Sequence, residues 1–208
     1  SIPPGIAPGK SGAPWGNMEA SYPTFVMGSH DERVKKTIDY IREVDWSDEG
    51  LIMFNALGCN CLHHYNTMKA SMADLYLGRD ENVIKDLYGV LLHTSSTHAF
   101  FEFCLDPWSN RDFGGNFTPH GWGHVKYVSL IRNMLVREDE VSNLYLLSAV
   151  APAWTLPGKE IVARRFNTQF GSVDLVAKGT PEGLKVDLKL DQEGGVWGKP
   201  RKVFIKVP

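Results

Sequence analysis

The spacing of apolar residues changes period once along this chain, and that change limits the fold more than any other feature. Up to about residue 140 apolar side chains recur every three to four positions; beyond it they alternate with polar ones. Ser29-His30-Asp31-Glu32 has the S-x-x-E form of a capping box, and Val34, Ile38 and Ile41 follow at helical spacing, which predicts a helix over about 31–44. A second stripe, Leu62, Tyr65, Met68, Met72, Leu75 and Tyr76, stops at Gly78, a residue that closes helices in the left-handed conformation. Asp80 then caps a third helix with the stripe Val83, Ile84, Leu87, Val90 and Leu91, and so short a connection makes these two antiparallel neighbours. Thr118-Pro119 reads as an N-cap with proline at the first helical position, opening the stripe Val125, Val128, Ile131, Met134 and Leu135. The acidic run Glu138-Asp139-Glu140 opposes the helix dipole, so fraying is expected there.

Past this point Leu184, Val186, Leu188 and Leu190 interleave with Lys185, Asp187 and Lys189, the pattern of a half-buried strand. Strands are expected at about 143–149, 159–166, 170–178, 183–190 and 202–207, with Pro181-Glu182-Gly183 as a hairpin turn. The fold class is therefore α+β, with helical hairpins first and an antiparallel β-sandwich last. Three segments result: a Pro/Gly-rich irregular arm over 1–28, a helical region over 29–140, and the sandwich over 141–208.

Charge and composition narrow the function classes. Twenty-two Lys and Arg against 24 Asp and Glu give a net charge of −2 with no basic tract, which argues against nucleic acid, and no apolar run of membrane-spanning length is present. Cys59, Cys61 and Cys104 make no disulfide framework and the C-x-C pair lacks the second half of a zinc site, so buried free thiols are expected. A calcium loop through Asp106, Asn110 and Asp112 fails on spacing, and no metal or cofactor is expected.

The stretch from Thr97 to Asp112 is too long and too rich in reactive side chains for a plain connector. Glu102 lies among Phe100, Phe101 and Phe103, surroundings that give a carboxylate general acid or base competence. An alternative reading pairs Glu102 with Arg111 to fix the loop. Trp108, Asn110, Arg111, Asp112, His120 and Trp122 are residue types that bind sugar hydroxyls or cover a sugar face, although Trp108 is equally a core residue and Asp112 a turn cap. His63-His64 is read as a surface or core pair, with His64 a weaker candidate for sugar contact.

Thr97 to Glu102 resembles the T-x-W-E segment that precedes the last helices of α-L-rhamnosidases and related six-hairpin glycosidases, with Glu102 at the glutamate and Phe101 where tryptophan is common. Asn116-Phe117-Thr118-Pro119-His120-Gly121-Trp122-Gly123 is similar to the family's Ser-x-Asn-His segment before the closing helix, with His120 at the histidine. The resemblance implies that the helices are part of an (α/α)6 barrel, a helical-hairpin toroid of which this chain carries the C-terminal portion. It also implies a secreted or periplasmic setting and a carbohydrate substrate. Glu102 would be the general base that activates water for inversion, opposite a carboxylic acid across the ring. Glu19, in Trp15-Gly16-Asn17-Met18-Glu19, is the local candidate for that acid; otherwise it lies in an N-terminal half. The barrel's open helix faces would be covered by that half or by a second copy of the chain. A non-catalytic carbohydrate-binding or scaffolding module is the competing reading.

Overall fold

The computed structural model of the chain describes residues 14–48, 50–56, 59–102, 105 and 117–207. Helices and a short β-hairpin come first and two three-stranded sheets last, in two compact units, 1–130 and 131–208, whose division falls inside the last helix. Among the described residues no helix is long and apolar enough to cross a membrane.

In the first unit a 3-10 segment, Pro14–Ala20, precedes α1 (Glu32–Val44), the hairpin β1 (Met53–Ala56) and β2 (Cys59–Leu62), α2 (His64–Tyr76), α3 (Asp80–Leu92) and α4 (Gly121–Leu135). Within the arm expected over 1–28, Pro14–Ala20 form this 3-10 segment, and Met18 packs with Ile38, Ile41, Ile52, Ala70 and Ala73 in one core cluster. The cap of α1 is Asp31, not Ser29: its carboxylate accepts from the Arg33 N–H at 2.8 Å. Asp80 is the first residue of α3 rather than its cap, which is Arg79. Gly78 does stop the second helix with φ +77, but Leu62 belongs to β2, where it pairs with Met53.

The fourth helix departs most from its sequence pattern. Thr118-Pro119 is a cis bond outside the helix, so it supplies no cap. His120 does that work, its Nδ1 accepting from the Gly123 N–H at 3.3 Å. Val125 and Val128 are exposed, while Leu130 and Met134 are fully buried. Cys61 is disulfide-bonded, which replaces the free thiol expected there.

A buried ion cluster ties three helices of this unit. Arg42 of α1 donates to Asp74 of α2 at 2.8 Å through Nε and to Asp86 of α3 at 2.8 Å through Nη1. Ser71 adds a bond to Asp86 at 2.6 Å, and the guanidinium lies 3.6 Å from the centre of the Trp46 ring. Desolvation makes isolated charges untenable at such depth, so the three side chains are held as a set.

The second unit is built on β3 (Val136–Glu138), β4 (Leu144–Leu146), β5 (Glu160–Thr168), β6 (Gly171–Thr180), β7 (Gly183–Asp191) and β8 (Val203–Ile205). The sheets run β3-β4-β8 and β5-β6-β7, antiparallel except for the parallel β4–β8 pair. Val173, Leu175 and Ala177 alternate inward along β6 and meet Val136, Leu144, Leu146 and Phe170. Gly179 is required where β6 passes the backbone of Leu156, since a Cβ there would stand 2.1 Å from its carbonyl oxygen. The acidic run after α4 is a structured turn rather than a frayed end. Glu138 pairs with Arg132 at 2.6 Å, and Asp139 accepts from the Val141 and Asn143 N–H groups at 3.0 and 2.8 Å.

Candidate active site

Two stretches singled out from the sequence are joined through their backbones. The Glu102 N–H donates to the Phe117 carbonyl and the His120 N–H to the Phe100 carbonyl, both at 2.9 Å. Leu105, three residues on, exchanges two bonds with Leu62 at 2.9 and 3.0 Å, so the glutamate segment is also pinned to the end of β2 beside His63. Gly123 lets the first turn of α4 close on this segment, because a Cβ there would already touch the Phe100 Cβ at 3.0 Å.

Around this pairing the first turns of α2 and α4 gather side chains. Every residue of α2 is buried except Tyr65, which is half-buried. Its ring lies parallel to that of Trp122, with centroids 4.9 Å apart and planes 10° apart, and 5.7 Å from the His120 ring. Trp122 is 51% exposed. The Lys69 ammonium, one turn after Tyr65, is 5.3 Å from the Tyr65 centroid and 5.0 Å from that of Trp122, within cation–π reach of both. Glu19, from the 3-10 segment, receives it at 3.4 Å and Lys126 of α4 at 2.8 Å, both on Oε1.

The electrostatics of the groups interlock. Burial pushes the Lys69 ammonium down, Glu19 opposes that, and Lys126 adds to it. Burial holds the His63 ring at about 3, with smaller contributions from Lys69 and His120. Burial raises the Tyr65 hydroxyl, and the charge of Glu102 raises it further, which places the carboxylate within electrostatic range of the stacked rings. His120 uses Nδ1 to accept from Gly123, so in the neutral ring the proton sits on Nε2.

Glu102, Glu19, His120 and Trp122 therefore share one neighbourhood. His64 is fully buried at the start of α2, its ring 5.3 Å edge-on to Phe100 and 6.3 Å parallel to Phe101, so it supports the Glu102 segment from behind rather than facing solvent. Trp108, Asn110, Arg111 and Asp112 lie outside the described residues, as does Asn116. Sequence reasoning passed over Tyr65, Lys69 and Lys126. A lysine in the middle of a helix with no charged face was the available signal for Lys69.

Among the described residues no group of three or more His, Cys, Asp or Glu is set to hold a metal ion. A cleft of about 430 Å³ in the second unit is lined mainly by apolar side chains, Met134, Leu135, Trp154 and Ile161 among them, with Lys159 and Glu160 at its wall. No family model, no curated protein and no solved structure matches this chain.

Proposed function

We propose that this chain is the C-terminal portion of a glycoside hydrolase that cleaves glycosidic bonds of an oligo- or polysaccharide, its helices part of an (α/α)6 toroid and its strands a β-sandwich. The backbone pairing of Phe100–Glu102 with Phe117–His120 carries this reading. It sets a carboxylate and an imidazole N–H beside a half-exposed tryptophan, a combination suited to a sugar ring and to activating water. In this reading Glu102 is the general base of an inverting displacement and His120 Nε2 holds a hydroxyl. The second carboxylic acid across the ring is Glu19 or a residue from the rest of the toroid. A disulfide at Cys61 fits a secreted or periplasmic protein.

The exposed apolar positions Tyr88 and Leu92 on α3 and Val125 and Val128 on α4 are where further helices would lie. The competing reading, a non-catalytic carbohydrate-binding module, draws on the four helices described against the twelve of a full toroid.

The test is hydrolysis of a panel of aryl glycosides by this chain and by a longer protein containing it, each with and without Glu102→Gln. The base role predicts a loss of roughly 10²–10⁴-fold in the active protein. An unaffected rate makes Glu102 structural; sugar binding without turnover in both proteins favours the module.

A further inference from the structure

The geometry points to Glu19 and Lys69 as positioning residues that hold Tyr65 stacked behind Trp122, whose open face is a flat platform for one face of a pyranose ring, and not to Glu19 as the proton donor. This inference rests on the carbohydrate reading given above and assigns the substrate class to a pyranoside bound face-on.

Three elements meet at Glu19 Oε1. Lys69 comes from α2 and Lys126 from α4, while Glu19 itself sits on the 3-10 segment that packs on α2. The side chain of Lys69 is only 6% exposed, and an ammonium at that depth needs a carboxylate to remain in place. Glu19 supplies one, and so fixes the cation 5.0 and 5.3 Å from the two ring centroids. Tyr65 backs one face of Trp122 with its parallel ring, which leaves the exposed indole surface with a set plane. A flat, electron-rich face, its orientation fixed from behind, suits the C–H face of a pyranose with no axial hydroxyl on that side. The opposing role is poorly served: the Glu19 oxygen that both ammonium groups approach is not presented to a glycosidic oxygen.

The bland alternative is that Trp122 belongs with Val125 and Val128 to a stripe covered by other helices, and the test separates the two. Saturation-transfer NMR of this chain with methyl pyranosides of gluco, galacto and manno configuration should show transfer to the ring C–H protons of one sugar face. Trp122→Ala abolishes it. Glu19→Gln and Lys69→Met weaken binding roughly tenfold, and Lys69→Arg, which keeps a cation, restores it and shows that the loss is not unfolding. No transfer with any sugar of the panel, or Glu19→Gln binding as the unaltered chain does, overturns the inference.

In a longer protein that hydrolyses glycosides, Glu19→Gln should lower kcat/KM by the same factor for nitrophenyl and alkyl leaving groups. A much greater loss for the alkyl glycoside identifies Glu19 as the acid and also overturns it. The two readings fail separately. If Glu102→Gln keeps full activity while Trp122→Ala loses binding, the base assignment falls and the platform stands.

Discussion

The interiors of the two units differ in kind. The second is closed mainly by Val136, Leu144, Leu146, Phe170, Val173, Leu175 and their neighbours, with buried charge confined to β3 and the turn after it, at Arg137 and Asp139, and the Glu160–Lys178 pair left at the surface. The first buries His63, His64, Asn66, Lys69, Asp74 and Asp86 along with its apolar core, five of them on α2 or its cap. An apolar interior stabilises by burying area, about 25 cal/mol per Å², and asks little of individual geometry. A polar one contributes only where each group is met, and it specifies which side chains stand together. The unit that carries the candidate site is also the one whose interior requires more of such matching.

The largest break in this contrast is at Arg42. Arg42→Ala leaves the buried Asp74 and Asp86 without their guanidinium and should cost about 3–5 kcal/mol. Hydrogen exchange should show protection falling across α1, α2 and α3 while β5–β7 keep theirs. Leu175→Ala in β6 costs a similar about 2–5 kcal/mol by opening a cavity, so size alone does not separate the units. The repair does: adding Asp74→Leu and Asp86→Leu to Arg42→Met should recover part of the first loss, whereas no change of charge recovers the second. If the triple replacement is no better than Arg42→Ala, the cluster is held by shape and not by charge.

The next effect is on pH. All seven histidines of the chain lie before residue 125, and His63 is held at about 3 by burial, then by Lys69 and His120. Below 6.5 the unfolded chain takes up a proton at this ring and the folded one does not until about pH 3, so His63 makes stability fall as pH drops through that window and leaves it flat above. From pH 6.5 to 4.5 this amounts to roughly 2–3 kcal/mol. Native-state exchange should report it in α2 and not in β6, and His63→Gln should flatten the curve. An equal slope in both units would remove the distinction between their interiors.

What the sequence made legible follows the same division. The strands of the second unit were readable because one face is buried and the other wet, so alternation survives in the residue order; β5, β6 and β7 fall within a few residues of their expected places. The hairpin Met53–Ala56 with Cys59–Leu62 was missed because it carries no such alternation, and Leu62 was drawn into the helical stripe that begins after it. Val125 and Val128 kept helical spacing yet face outward, since periodicity shows which residues share a face and not which face is covered. Glu102 and His120 were singled out through their local motifs. Arg42 with Asp74 and Asp86, or Glu19 with Lys126, are partners separated by 32, 44 and 107 residues, and no local pattern encodes them.

The smallest effect sharpens the comparison from the other side. Glu160 and Lys178 face each other in register across β5 and β6, 3.0 Å apart, and their side chains are 45% and 53% exposed. Water already solvates both charges, so their attraction is weak and is further reduced by the order lost in holding two long side chains together. Lys178→Ala should therefore cost less than about 1 kcal/mol, and the cost should shrink in 1 M salt, where the Debye length is about 3 Å. Denaturant titration at low and high salt measures both. A loss as large as that of Arg42→Ala would mean that surface charge also closes the second unit, and burial would no longer be what distinguishes the charges that matter in this chain.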